Sequence, residues 1–542
     1  MILLSDVSHN NEVLKLFAPA SDYESQRAAL RNELRECMEA LRSTGTLRRD
    51  LTAIREAFQN SAVPARPTDV REYFQRLAHT VIPCSVDISS PLCIGHMTGV
   101  LPNFAGILGE LIVTLNQNLV KRDASHALTL LERQVLAMVH RLIYHSSEEF
   151  YARHIQNSES TLGLITQGGT LGNLTALWIA RNSAFPKSDD FSGVESAGMP
   201  AALARYGYVD AVIVGSRLMH YSIQKAAGIL GLGCQNIIRL PVDSANRLDV
   251  GALRDCLANC SRRRKKVLAI VGIAGTTDCG SIDPLKEIAA IARDSQVFFH
   301  VDAAWGGPML FSSRYAPKLA GIAQADSVVI DGHKQMYVPV GSSMLLFKDP
   351  YVARVIEKSS NYILQNGSGD LGQRSIEGSR AGSVLFLHAA LELIGSEGYG
   401  FLIEENLRKS QMMAQLINGS SQFELLLQPE TNIVLYRYIP QQFRLFGKRR
   451  LAPEENAQVN GFNEMLQKTQ SEAGRTFVSR TTIENSSQGE GVPVVALRAV
   501  ISNALIEEKH FRFVLDDQAA IGAELDSVES SPNPILAECR VV

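Results

Sequence analysis

From residue 162 to residue 347 the chain repeats one unit: a near-continuous apolar run, a polar turn and a helical stretch. The apolar runs are Leu162–Thr166, Ala211–Val214, Lys266–Ile273, Phe298–Asp302, the DSVVID run ending at Asp331, and Ser342–Phe347. A strand with one face in water alternates polar and apolar residues. These runs do not, so both of their faces are expected to be covered. Such strands, joined by helical crossovers, dictate an α/β fold with a mostly parallel sheet. Open sheets of this kind bind ligands outside the carboxyl ends of their strands, where polar clusters occur here. Asp302 closes one run in FFHVDAAWGG, and Lys334 follows the next in DSVVIDGHK.

A chain of 542 residues exceeds what one core can organise, and its length implies about two to four domains. We expect an N-terminal helical segment with a substrate-side loop over 1–135, a large α/β unit over 136–394 and a small α+β unit over 395–542. Helical rhythm runs through Ser25–Leu41, Leu51–Phe58 and Asp69–Ala78, then from about Asn103 to Tyr144 with a break near Lys121–Ser125. In the C-terminal part, helices are expected at Phe401–Ile417, Phe462–Glu472 and Glu507–Asp517. Strands are expected near Glu424–Leu427, Thr431–Tyr438 and Val494–Ser502, with a polar excursion over Pro440–Asn460. Alternation in Arg498–Ser502 suggests a half-exposed strand that would give Arg498 one defined direction. The glycine-rich stretch Ser359–Arg380 reads as a mobile or ligand-covering loop.

With a net charge of -3, nothing points to nucleic acid or an acidic membrane as partner. The basic run Arg262–Lys266 reads as a solvated face. The eight cysteines form no CxxC pair, and Cys256 and Cys260, four apart, have no second pair to complete a metal site. They are expected to be reduced thiols. The opening MILLSDVSHN lacks the basic and apolar regions of a signal peptide. The apolar region Met97–Val120 is interrupted by Pro102, Asn103, Glu110, Asn116 and Asn118, which unfits it for a membrane. These features together indicate a cytoplasmic protein.

The polar clusters suggest one chemistry. Gln167–Asn173 places glycines between a strand and a helix start, where free N–H groups and the helix dipole can hold a phosphate. Its spacing fits neither a dinucleotide fingerprint nor a nucleoside triphosphatase loop, and a plain tight turn would use the same residues. Lys334 and Asp302 could equally be structural ion-pair partners. A lone His220 in the loop after the second strand would more often be structural. Taken together, a phosphate cradle, an amine, a carboxylate to hold a ring nitrogen protonated and an imidazole to stack on the ring are what pyridoxal 5'-phosphate requires.

In chain order, GGTLGN, MHYS, AGTTDCGSID, HVDAAWGG, DGHK and LRAVISN resemble the group II pyridoxal-phosphate-dependent amino acid decarboxylases, a glutamate decarboxylase-like family. The resemblance spans about residues 85–520, and HVDAAWGG followed by HK is its most specific part. IGHMTGVLPNF, LNQN, LERQVLAMVHRLIY and GDLGQRSIEGSRAG bring the chain nearest to the bacterial aspartate 1-decarboxylase group within it. The family implies a fold-type I transferase-like architecture with a seven-stranded-type sheet, and a homodimer. It further implies Lys334 as the Schiff-base lysine, Asp302 on the pyridinium nitrogen, Ala304 beneath the ring and His220 above it. Gly169, Thr170 and His333 would hold the phosphate, and Asn173 would belong to the same cofactor site. Thr276 or Thr277 would approach the Asp302 or ring-oxygen side, and Arg498 would bind the substrate α-carboxylate. His96 and Thr98 lie where the glutamate-type enzymes recognise an acidic side chain.

Two positions depart from the family pattern. Asp331-Gly332 stands where animal glutamate decarboxylases carry Asn-Pro, and an acid beside a phosphate is expected to turn away and bind backbone or a cation. The Ser359–Arg380 loop lacks a tyrosine where several relatives carry their protonating group; Tyr362 lies earlier, in NYIL. The expected activity is decarboxylation of a short acidic L-amino acid, aspartate to β-alanine, with glutamate to 4-aminobutyrate as the alternative. Aminotransfer or carbon–carbon lysis on the same cofactor, and a non-catalytic scaffold, are the competing readings.

Overall fold

In the computed structural model, residues 24–43, 55–360, 368–444 and 450–529 are described. The N-terminal part is helical: α1 (Glu24–Ser43), α2 (Val70–Thr80), α3 (Phe104–Leu115) and α4 (Ala127–Tyr144). Asp69 starts α2 by accepting from the backbone N–H groups of Arg71 and Glu72, which leaves fewer first-turn donors unpaired. The expected boundary at 135 falls inside α4. That helix buries Val135, Leu136, Val139 and Ile143 along one side, in the same core as the strand residues Val212, Val214 and Val301. Its buried Glu132 pairs with Arg380 at 2.7 Å, fastening the far end of the Ser359–Arg380 stretch.

Seven strands form the large sheet: β1 (Gly163–Thr166), β2 (Asp210–Ser216), β3 (Ile237–Leu240), β4 (Lys265–Ile273), β5 (Phe298–Asp302), β6 (Ser327–Asp331) and β7 (Ser343–Phe347). Their order is β1-β7-β6-β5-β4-β2-β3. The pairs from β3 through β6 are parallel, and β7 runs against both β6 and β1. Helices α5 (Gly169–Ala184), α6 (Tyr221–Ile229), α7 (Val250–Arg262) and α8 (Leu285–Asp294) connect the strands and cover the two faces. β5 and β6 are neighbours, with Val301 opposite Val328, so the ends that carry Asp302 and Asp331 emerge side by side. Lys334 lies three residues beyond the end of β6, in the turn that follows.

After α9 (Val384–Leu393) and the long α10 (Gly395–Asn418), a four-stranded antiparallel sheet is built from β8 (Phe423–Leu425), β9 (Ile433–Tyr438), β10 (Ser479–Ile483) and β11 (Val494–Val500). Two helices accompany it, α11 (Pro453–Ala473) and α12 (Glu508–Glu529). Three expectations are corrected here. β11 is buried along its whole length, because it is an inner strand between β10 and β9. Leu497 and Ala499 pack towards Phe462 and Leu466, while Ala496 and Val500 pack towards Trp305 and Cys279. α11 begins nine residues before the expected Phe462, with proline in its first turn, where the missing N–H costs nothing. α12 runs well past Asp517, and its buried Gln518 accepts from the Tyr436 hydroxyl at 3.0 Å.

Candidate active site

At the carboxyl ends of the large sheet, against the small sheet, lies a cavity of about 430 Å³, a size suited to a cofactor and a small substrate. Gly169 and Thr170 form the first turn of α5, whose N-terminus no side chain caps. Gly168 precedes them at φ 126°, a conformation that favours glycine. First-turn amides have no partner inside a helix, so this end is a ready anion cradle. His333 lines the same region, its Nδ1 3.3 Å from the Ser342 carbonyl.

Lys334 and Asp302 both face the cavity. The Lys334 ammonium sits 2.9 Å from Asp331 Oδ2, and Asp331 Oδ1 accepts from Ser343 at 2.6 Å. Asp331 thus does not turn away from the cradle; a Cβ on Gly169 would lie 2.8 Å from its Oδ1. The cation it binds is Lys334 itself. Asp302 Oδ1 accepts from the backbone of Ala304 at 3.2 Å, and Oδ2 accepts from Asn173 Nδ2 at 2.8 Å. Asn173 is a buried residue of α5, and it also donates to Ser222 at 2.9 Å. His220 caps α6 with Nδ1 and turns its ring to the cavity; burial lowers its pKa, helped by Lys334 and opposed by Asp302.

Of the two threonines, only Thr277 lines the cavity. The Thr276 hydroxyl is buried in its own loop, accepting from the Ser281 amide at 3.1 Å beside Cys279. The Thr277 carbonyl accepts from Arg498 Nε at 2.8 Å, and Arg498 Nη1 donates to Ser479 at 3.0 Å. The third nitrogen, Nη2, is buried with no acceptor among the described residues. Burial pushes the Arg498 pKa down to about 10, against the attraction of Asp278, so the group stays charged at neutral pH.

His96 and Thr98 reach this cavity because their segment is laced to the small sheet. Ile94 donates to the Phe477 carbonyl at 2.9 Å and accepts from Val500 at 2.6 Å, two residues from Arg498. The approach is so close that a Cβ on Gly95 would stand 2.6 Å from the Val478 carbonyl carbon. His96 Nδ1 accepts from the Thr98 amide at 3.2 Å and lies 2.7 Å from its hydroxyl, which leaves Nε2 to carry the ring proton. Partial desolvation lowers the His96 pKa, and Arg498 and His333 lower it further.

Sequence reasoning missed His300 and the inward turn of Asp331. His300 is fully buried two residues before Asp302, and a period of two puts both on one face of β5, a signal that was legible. Tyr362 and the rest of 361–367 lie outside the described residues. The flanking residues are pinned: Asp370 accepts from the Arg122 amide at 2.8 Å, and Arg374 donates to Thr161 at 2.6 Å.

An uncapped helix end, a lysine amine, a carboxylate held by two donors and a neighbouring imidazole fit a phosphorylated pyridine aldehyde. A family profile described as "Pyridoxal-dependent decarboxylase conserved domain" matches residues 54–439. The chain belongs to this decarboxylase family. Aspartate 1-decarboxylase of Aliivibrio fischeri is 40% identical to this decarboxylase over 478 residues, 87% of either chain. L-2,4-diaminobutyrate decarboxylase of Acinetobacter baumannii is 28% identical over 71% of this chain and 75% of its own. The solved glutamate decarboxylase domain of the Vibrio parahaemolyticus diaminobutyrate-pyruvate transaminase and L-2,4-diaminobutyrate decarboxylase has the same fold. Its TM-score is 0.75 at 23% identity, covering 92% of this chain and 95% of that one. The enzyme is a carboxy-lyase that uses pyridoxal phosphate. Among the described residues no helix is long and apolar enough to cross a membrane.

Proposed function

We propose that this decarboxylase converts L-aspartate to β-alanine and carbon dioxide. The observation that carries the reading is the buried Arg498 Nη2 at the cavity wall, a charged donor without an acceptor among the described residues. A buried donor left unmade is costly, so the site is poised for an anion. His96, held by Thr98 with its ring proton on Nε2, offers a donor to a second carboxylate nearby. A side-chain ammonium would instead meet the positive charge of Arg498. The 40% identity to the Aliivibrio fischeri enzyme supports the same substrate.

Bound pyridoxal phosphate supplies the electron sink into which the Cα–carboxylate bond electrons drain. The chain supplies the rest. Lys334 presents the amine that anchors the cofactor, and the first turn of α5 with His333 holds its phosphate. Asp302 keeps the ring nitrogen protonated. Arg498 fixes the α-carboxylate, and with it the direction of the bond to be broken; that grip must not outweigh the hold on the transition state. Product assays on L-aspartate and L-glutamate in parallel test the reading: β-alanine as the faster product is expected. Faster formation of 4-aminobutyrate, or inertness toward both acids, would overturn it.

The working unit is a cytoplasmic homodimer in this reading. α3 carries the exposed apolar side chains Ile107, Leu111 and Val113, a surface suited to a second copy. Sedimentation velocity on the holoenzyme should give twice the chain mass.

A further inference from the structure

A buried hydrogen-bond chain runs behind the cofactor site. Ser327 Oγ lies 2.8 Å from His300 Nδ1, and His300 Nε2 lies 2.8 Å from Asn173 Oδ1. Asn173 Nδ2 then serves Asp302 Oδ2 at 2.8 Å and Ser222 Oγ at 2.9 Å, and Ser222 Oγ lies 2.9 Å from His220 Nδ1. Ser327, His300, Asn173 and Ser222 are all at most 1% exposed, so water does not compete.

The protons in this chain can be assigned from its end. A carboxylate only accepts, so the amide of Asn173 must turn Nδ2 to Asp302 and Oδ1 to His300. His300 must then carry its proton on Nε2 and accept from the Ser327 hydroxyl at Nδ1. Burial drops the His300 pKa to about 4, which leaves it one ring proton at neutral pH. Asn173 Nδ2 has two protons and gives the second to Ser222. Ser222, already accepting, turns its own proton to His220 Nδ1, which also accepts from the Ser222 amide at 3.3 Å. His220 is thereby left with its ring proton on Nε2.

We infer that Asn173, His300 and Ser222 are positioning residues: one directional chain aims Asp302 and holds His220 in the tautomer with its proton on Nε2. His220 therefore serves the cavity as a hydrogen-bond donor and not as a resting base. The inference does not depend on which amino acid is decarboxylated. The charged and titratable groups facing His220 are Asp302, Lys334, Asp331 and Asp278, and the Tyr221 ring lies 4.1 Å from its own.

The test uses the full-length holoenzyme labelled with ¹⁵N-histidine, read by long-range proton–nitrogen correlation. His220, assigned by its loss in His220→Asn, is expected to show a bare Nδ1 and a protonated Nε2 at neutral pH. Ser222→Ala should mix the two tautomers, and Ser222→Thr, which keeps the hydroxyl, should restore the single one. On the Asp302 branch, His300→Phe should weaken cofactor retention by up to about tenfold, the scale of one buried hydrogen bond between neutral groups. His300→Gln, which still donates to Asn173, should recover most of it. A proton on Nδ1 of wild-type His220 would overturn the assignment, and so would cofactor retention in His300→Phe equal to wild type. The wild-type measurement needs no folded variant beyond the His220→Asn used for assignment.

Discussion

Replacing Arg498 by glutamine removes the charge that we assign to the substrate carboxylate. In the wild-type enzyme Arg498 is 7% exposed, and two of its three guanidinium nitrogens are held by the chain. Substrate binding would give Nη2 its missing acceptor. A hydrogen bond to a charged group contributes about 1.5–3 kcal/mol, equivalent to roughly a 10–150-fold loss in kcat/KM when it is removed. The carboxylate is held before the bond breaks as well as during it, so most of the loss should appear in KM. Arg498→Lys keeps the charge but not the fork, and should fall between wild type and glutamine. The assay is the initial rate of β-alanine formation over a range of aspartate concentrations. Cofactor absorbance and thermal melting are recorded alongside, because glutamine also loses the bonds to Thr277 and Ser479. A folded, cofactor-loaded Arg498→Gln enzyme with KM and kcat within twofold of wild type would refute the assignment.

Asp331→Asn removes a negative charge from the phosphate cradle while keeping the shape and the contact to Ser343. The cofactor dissociation constant should fall by roughly tenfold as like-charge repulsion is relieved; weaker binding on equilibrium dialysis would mean that the Lys334 pair matters more. Glu132→Gln leaves Arg380 charged and buried, both side chains being at most 3% exposed in the pair. A loss of about 3–5 kcal/mol is expected in urea unfolding of the large sheet and its helices. Acid should destabilise the enzyme through His140 and His300, each pushed from 6.5 to about 4, chiefly by burial. The unfolded chain takes up these protons first, so stability falls as pH drops from about 6.5 to about 4, by at most about 3 kcal/mol per histidine. Melting temperatures flat across that window would contradict the burial of both rings.

Much of the large sheet was legible because its strands are apolar without interruption, and the crossover rule then places Asp302 and Lys334 side by side. Short or polar elements escaped for identifiable reasons. β3 is four residues long and includes Arg239, so it lacks the run that marks its neighbours. The early start of α11 is hidden because its first turns carry polar residues that the fold satisfies: Asn456 accepts from Arg437 at 2.7 Å, and Asn460 accepts from the Val495 amide at 2.9 Å. Such satisfied polar positions imitate a solvent-facing stretch in a sequence. β11 misled in the opposite sense, since Arg498 gave a buried strand the look of a half-exposed one. In the site, the motifs lead to Lys334, Asp302 and His220, which the fold brings to one cavity. The orientation of Asp331 was not legible, because repulsion by an absent phosphate was weighed without the attraction of the adjacent Lys334.

The lacing of residues 93–95 onto the small sheet divides ownership of the site. The groups that we assign to the cofactor, Lys334, Asp302, His220 and the first turn of α5, are all anchored on the large sheet. Arg498 belongs to β11, and His96 and Thr98 hang from the same small sheet through Ile94. In that assignment, cofactor and amino acid would be gripped by two different pieces of scaffold that meet at one seam. Under that assignment, sequence change around His96 and Thr98 would retune which amino acid is accepted while the groups assigned to the cofactor, and Arg498, stay intact, so the protein is partitioned for divergence.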